Sequence, residues 1–139
     1  EKTRFSTTAF WDPSTSKWAS TEARINYADE KNRILNLNYQ HISGEVSEVD
    51  TSFALPINKK WGFVGKLDYD LSNSRVLEQL AGIEYKDCCL TSRLVARRYL
   101  TTDNTSYDDA VFFEFNLKGL GGISTGVNAI LKENIYGYE

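Results

Sequence analysis

The adjacent pair Cys88-Cys89 holds the most reactive side chains in this sequence, and the chain has no third cysteine. Neighbouring residues on a strand send their side chains to opposite faces. A disulfide needs Cα atoms several Å apart with converging Cβ vectors, a geometry that adjacent residues reach only with strain. These thiols are therefore not expected to pair with each other. Either both are free, or each has a partner outside these residues, and the second option makes the chain a piece of something larger. The spacing is not C-x-x-C, so redox and zinc roles gain little support. His41 is the only histidine; it stands beside Gln40 at a strand end with no metal-binding or triad partners near it, so a structural or exposed role is expected. Asp68 and Asp70 share one face and could serve as an acid/base pair, although a lumen-facing or solvent-facing strand explains them as well. No Walker, zinc-finger or dinucleotide signature occurs. Gly119-Leu120-Gly121-Gly122 is a flexible strand exit rather than a phosphate loop, because it does not open a helix after a buried strand. The residues thus point to no enzyme, no metal and no cofactor.

The elements that position these residues are short alternating strands. In Lys17–Tyr27, Ala19, Thr21, Ala23, Ile25 and Tyr27 fall on one face and Ser20, Glu22, Arg24 and Asn26 on the other. Leu35, Leu37 and Tyr39 oppose Asn36, Asn38 and Gln40. Trp61, Phe63, Gly65, Leu67, Tyr69 and Leu71 oppose Lys66, Asp68 and Asp70. Val111, Phe113, Phe115 and Leu117 oppose Phe112, Glu114, Asn116 and Lys118. Weaker members are 4–11, 49–55, 77–85 and 90–99. About eight strands result, several near the 9–11 residues of a tilted membrane strand. Turn-forming segments separate them at 12–16, 28–32, 43–45, 56–60, 72–74 and 101–105. Short links throughout imply an antiparallel meander, and both prolines sit at links, where no ladder hydrogen bond is lost. After Lys118 the alternation stops. Residues 1–120 are therefore assigned to strands and 121–139 to a C-terminal tail, in which Val127, Ile130 and Leu131 have helical spacing over a segment short enough to be coil.

The bulk composition narrows the class. A length of 139 residues suits one domain, and 41% hydrophobic residues permit a core. A net charge of −3 with scattered basic residues gives no reason to expect a nucleic-acid partner. No apolar run approaches the roughly 20 residues of a membrane-spanning helix, but a β-barrel leaves no such run, since only alternate residues meet lipid. An aromatic content of 13%, with Tyr the most frequent, is a mild barrel signal, because amphipathic rings favour membrane interfaces.

Alternation alone leaves two solvents open for the apolar face. A soluble sandwich or lipocalin-like barrel packs it inside; a large membrane barrel turns it to lipid and lines a wet lumen with the polar face. Ala19, Thr21, Ala23, Thr51, Gly65 and Ala81 on apolar faces favour lipid, which fills space beside small residues where a packed core would need large ones. Trp11, Trp18, Tyr27, Tyr39, Trp61, Tyr69, Tyr85 and Tyr99 lie at strand ends like two interfacial girdles, although aromatics are common in strands generally. Eight strands could also close into a complete small barrel.

Three stretches carry a specific resemblance: 80–90 with Gly82-x-x-Tyr85 leading to Cys88-Cys89, the Arg-rich 93–99, and 112–121 ending in Lys118-Gly119-Leu120-Gly121. Together with the closing Ile135-Tyr136-Gly137-Tyr138, they resemble the end of the LptD family of lipopolysaccharide-assembly outer-membrane proteins. Leu90 stands where that family often has a bulky aromatic. Upstream of about Val76 the match is generic barrel pattern.

The resemblance implies an all-β fold, an antiparallel meander of transmembrane strands that forms the C-terminal part of a large barrel in the Gram-negative outer membrane. It implies disulfides from Cys88 and Cys89 to cysteines near an N-terminal periplasmic domain, with the turns at 28–32, 56–60 and 86–88 on the periplasmic side and the other turns as surface loops. It also implies a function: lipopolysaccharide, received from a periplasmic bridge, enters with its sugar portion in the lumen and leaves sideways through a lateral gate. Val111, Phe113, Phe115 and Leu117, on the strand 111–118 read as the last and as short, would form one side of that gate and the signal read by the barrel-assembly machinery. Glu22, Arg24, Lys66, Asp68, Asp70, Arg93, Arg97, Glu114 and Lys118 would face a lumen that also holds the plug lipoprotein LptE. Taken singly, each charge is explained by hydration or cross-strand pairing. The alternative is a soluble secreted β-sandwich or small barrel that binds a sugar or lipid. With two unpaired edges the segment is expected to need the rest of its barrel or an assembly partner.

Overall fold

The computed structural model describes residues 2–117, 121–124 and 126–138. Nine strands form one sheet in chain order: β1 (Lys2–Asp12), β2 (Lys17–Ala28), β3 (Ile34–Ile42), β4 (Val46–Pro56), β5 (Trp61–Asp70), β6 (Arg75–Lys86), β7 (Leu90–Leu100), β8 (Tyr107–Leu117) and β9 (Gly121–Ser124). A helix, α1 (Val127–Asn134), follows. Each strand pairs antiparallel with the next, so the expected meander is present. No described helix is long and apolar enough to cross a membrane, which says nothing of crossing by strands. The first eight strands have 9 to 12 residues, against about 5–6 in an ordinary globular sheet and about 9–11 for a tilted membrane strand.

The turns follow from their residues. Asp12 Oδ1 accepts the Ser14 N–H at 2.9 Å, and Asn58 Oδ1 accepts the N–H groups of Lys60 and Trp61 at 2.8 and 3.0 Å. Side-chain acceptors of this kind stand in for backbone partners in a tight turn. The 43–45 turn needs φ +83° at Gly44, a conformation that costs glycine little. In the 101–106 loop, Asp103 is held at about 2, below its ordinary 3.8, by hydrogen bonds from the hydroxyls of Thr101 and Thr105 and from the Thr105 N–H. A carboxyl depressed on folding stabilises above its unfolded value and loses that contribution as pH falls through its folded one. Loop order is therefore expected to decline between about pH 4 and about pH 2. A carboxyl NMR titration of Asp103 with its midpoint near the ordinary value would contradict this.

The two faces of the sheet are inverted relative to a soluble β-protein. Phe5, Ile25, Leu35, Leu37, Leu55, Phe63, Leu67, Leu94, Val111 and Phe113 all lie on one face and are exposed; Val111 is 71% exposed. The opposite, polar face holds the core. Ile34, Ala54, Val64, Gly82 and Val95 align across β3 to β7. Onto this row and Leu80 pack Val127, Leu131, Ile135 and Tyr138. Gly82 marks the tightest approach: a Cβ there would meet Val95 Cγ2 at 2.8 Å, Val64 Cγ2 at 2.9 Å and the Leu94 carbonyl at 3.0 Å. Gly82→Ala is expected to cost about 1–3 kcal/mol by overpacking, read as a lower urea midpoint.

Three expectations change. The strand read as Val111–Lys118 runs Tyr107–Leu117, with eleven residues paired to β7, so it is not short. Nor is it last: Gly121 and Gly122, expected within a flexible break at 119–122, belong to β9 (Gly121–Ser124), paired with Glu114–Leu117, because a glycine backbone can still supply ladder hydrogen bonds. The segment read as a tail contributes α1 and residues to 138 to the only buried cluster among the described residues, because an eight-residue helix cannot persist without docking. Lys118, Gly119 and Leu120 lie outside the described residues.

Candidate functional site

The chemistry of this chain is concentrated on the polar face and on the turn that bears the cysteines. Cross-strand register puts Glu84 on β6 opposite Arg93 on β7, and Arg93 opposite Glu114 on β8. The guanidinium donates to both carboxylates, and Arg93 and Glu114 are 7% and 5% exposed. A cation held between a buried and a largely buried anion is tolerable because further hydrogen bonds also engage both carboxylates. Glu84 further takes Lys86 at 3.0 Å and the Tyr138 hydroxyl; Glu114 accepts the Asn128 N–H at 3.2 Å. One row on, Arg97 donates to Glu78 at 2.8 Å, and Lys66 lies 3.9 Å from Glu78 and 4.0 Å from Asp50. Arg24 pairs with Glu22 on its own strand.

Amides extend this network. Asn26 Nδ2 donates to Asn36 Oδ1 at 2.8 Å, and Asn36 Nδ2 donates to Ser52 Oγ and to the Tyr136 carbonyl at 3.2 and 3.0 Å. Asn38 Oδ1 and Asp68 Oδ1 are buried with no hydrogen-bond partner among the described residues, so this face is built for contact with water or a polar ligand rather than for a dry core. Two cavities open on it. One of about 440 Å³ has Arg4, Arg24, Asn36, Asn38, Asp50 and Lys66 in its wall. The other, of about 530 Å³, lies toward the 28–32 and 56–60 turns and combines Lys31, Lys59 and Lys86 with Ile34, Pro56 and Trp61.

Of the residues singled out in the sequence, Glu22, Arg24, Lys66, Asp68, Arg93, Arg97 and Glu114 share this face. Asp70 does not join them chemically. Its carboxylate accepts the Ser72 and Asn73 N–H groups at 2.9 and 3.0 Å and pairs with Arg75, closing the 71–74 turn. Asp68 and Asp70 therefore form no acid/base pair. His41 Nδ1 lies 2.6 Å from Ser47 Oγ on the neighbouring strand, a structural bond. Val111, Phe113, Phe115 and Leu117 occupy the apolar side of β8, where the Phe113 and Phe115 rings stack 6.5 Å apart. Glu84, Glu78, Asn36 and Tyr138 were not among the site residues expected from the sequence, although Asn36 falls on the polar face and Glu84 and Tyr138 lie in stretches that carry the resemblance. The first two could have been found as acids that register places opposite Arg93 and Arg97 or next to them; the closing motif marks Tyr138 but not its contact with Glu84.

Cys88 and Cys89 are exposed in the β6–β7 turn, with no disulfide between them and their Sγ atoms 2.9 Å apart. Asp87 shapes this turn. It accepts Lys60 Nζ at 2.8 Å, the Tyr85 hydroxyl at 3.2 Å and the Cys88 N–H at 2.8 Å. The Lys60 ammonium holds the Asp87 carboxyl below its ordinary range, and Asp87 in return raises Lys60. Aromatic pairs stand near both ends of the strands: Trp11 meets Trp18 edge-on at 5.1 Å, and Trp61 meets Tyr85 at 4.8 Å. A soluble β-domain would bury the apolar face that is exposed here.

The chain is similar to proteins of one known family. A family model described as LPS transport system D (LptD) matches residues 1–61. The LPS-assembly protein LptD of Saccharophagus degradans is 33% identical across 98% of this chain, that of Nitrosococcus oceani 30% across 92%, and that of Xanthomonas campestris pv. campestris 31% across 92%. The chain spans less than a fifth of the length of these relatives, 18%, 17% and 17% respectively. The match to the family model falls on upstream strands that read as generic barrel, because each strand of a membrane barrel carries a weak signal by itself. Strand lengths, inverted faces and these similarities agree, and the chain belongs to the LptD family.

Proposed function

We propose that this chain is the C-terminal part of a large β-barrel in the Gram-negative outer membrane and that it serves, without catalysis, in the insertion of lipopolysaccharide into the outer leaflet. The observation that carries this reading is a continuous exposed apolar face on eight strands of membrane-crossing length, backed by a partly buried, hydrogen-bonded polar face. The apolar face meets lipid. Glu22, Arg24, Lys66, Asp68, Arg93, Arg97 and Glu114 line the lumen, where mixed charge suits a phosphorylated sugar and the plug lipoprotein LptE. Val111, Phe113, Phe115 and Leu117 of β8 form one side of a lateral gate and the strand recognised by the barrel-assembly machinery through edge pairing. β9 pairs with Glu114–Leu117 and covers the edge at Phe115 and Leu117, so of the four residues Val111 and Phe113, on the part of β8 toward Tyr107, lie on the edge left for that role. The β6–β7 turn faces the periplasm, an oxidising compartment, and Cys88 and Cys89 each pair with an upstream cysteine near the domain that receives lipid from the periplasmic bridge.

The test uses the full-length protein on non-reducing gels. A reductant-sensitive mobility shift is expected that survives Cys88→Ser or Cys89→Ser and disappears only in the double variant. Absence of any shift, with both thiols alkylated in the native protein, would remove the disulfide role and the best chemical link to this function.

A further inference from the structure

We propose that residues 126–138 are an internal strap that fixes the position of the cysteine-bearing β6–β7 turn from the polar side of the sheet, with Tyr138 as its positioning residue. The strap crosses the sheet and is tied at both ends to the same buried ion cluster. At its start, the Asn128 N–H donates to Glu114 Oε2. At its finish, the Tyr138 hydroxyl donates to Glu84 Oε2, and the Tyr138 ring lies 6.0 Å from the Arg93 guanidinium and 5.9 Å from Lys86 Nζ. Arg93 joins Glu84 to Glu114, so strap and cluster close a ring through β6, β7 and β8.

Between these ends the strap is held along its length. Val127, Leu131 and Ile135 are fully buried against the row of Ile34, Ala54, Val64, Leu80 and Val95. Asn134 Oδ1 accepts Lys66 Nζ at 3.1 Å, the Tyr136 carbonyl accepts Asn36 Nδ2 at 3.0 Å, and the Tyr136 hydroxyl accepts Arg4 Nη1 at 3.3 Å. Contacts therefore reach from β8 to β1. The strap also separates the two cavities: Gly137 and Tyr138 border one, and Glu133, Asn134 and Tyr136 the other.

The link to the turn is short. Glu84 and Lys86 precede Cys88 on β6, and Arg93 follows Cys89 on β7. Glu84 and Arg93 face each other, with Lys86 opposite Thr91 one row nearer the turn on the same face. Anchoring Glu84 through Tyr138 restricts both legs of the hairpin where it leaves the sheet. The exposed Asp87–Lys60 contact holds the turn from outside, and an exposed ion pair contributes little. The buried anchor is thus the stronger constraint on where the thiols point. This role builds on the reading of Cys88 and Cys89 as disulfide partners but does not require it.

The experiment uses the full-length protein, treated with reductant and then with a maleimide probe, and compares wild type, Tyr138→Phe and a chain ending after residue 125. The alkylation rate of Cys88 and Cys89 reads turn position; heat-dependent gel mobility reads whether the barrel is folded. Loss of one hydrogen bond to a buried charge is expected to speed alkylation about tenfold in Tyr138→Phe with the barrel intact, and the truncated chain should alkylate at least as fast. An unchanged rate in folded Tyr138→Phe overturns the proposal. If the truncated chain does not fold, Tyr138→Phe decides alone. If wild type shows no reductant-sensitive disulfide, the function proposed for the cysteines fails, while the alkylation rates still decide for or against the strap.

Discussion

Leu94→Arg is expected to destabilise the protein by about 2–4 kcal/mol when it is folded in a lipid bilayer, the cost of a cationic side chain near the midplane on the lipid face of a barrel. Leu94 lies near the middle of β7, between Ile83 and Phe113 in register, and is 47% exposed. In water the same replacement would remove a half-exposed leucine and add a solvated charge, a change usually within about 0.5 kcal/mol. The two solvents thus give different outcomes from one substitution. The urea midpoint of the full-length protein in lipid vesicles, against Leu94→Ala as a size control, makes the measurement. A near-zero difference would show that this face does not meet lipid, and the membrane reading would fall with it.

Arg93→Leu, one residue earlier, is expected to cost about 3–5 kcal/mol for the opposite reason. Removing the guanidinium leaves Glu84 and Glu114 buried, close together and without their shared cation. The loss is dominated by uncompensated charge, so changing both acids as well, in Arg93→Leu/Glu84→Gln/Glu114→Gln, should recover most of it. If the single and triple variants unfold at the same urea midpoint, the cluster is not acting as a paired unit. Adjacent residues thus fail by different mechanisms: Leu94 by placing charge in lipid, Arg93 by leaving charge unpaired on the polar side.

The first eight strands and their facing were legible in the sequence because alternation is local. A period of two places Leu35, Leu37 and Tyr39 on one side and Asn36 and Asn38 on the other whatever their partners are. Turn residues set the hairpin breaks in the same way, and consecutive hairpins leave little freedom in strand order. The candidate lumen residues followed from facing alone. Asp70 shows the limit of that argument: it alternates like Asp68, yet its carboxylate closes a turn, because it stands at the strand end where exposed N–H groups compete for it. The break at Gly121 and Gly122 was misleading for a related reason. Glycine is depleted in strands, but a four-residue edge segment can still be held by ladder bonds to its neighbour.

By itself, the sequence determined an all-β meander with one apolar and one polar face, strands of membrane-crossing length, and two cysteines not suited to pair with each other. Only the tertiary structure decided which charges neutralise which, and that the final residues dock on the polar face. Ion pairing depends on register between strands, which brings Glu84 to Arg93 and Arg93 to Glu114 across separations of 9 and 21 residues. The strap depends on burial: α1 has eight residues, too few to persist alone. It exists because the small and branched residues of the polar face leave a groove that Val127, Leu131 and Ile135 fill.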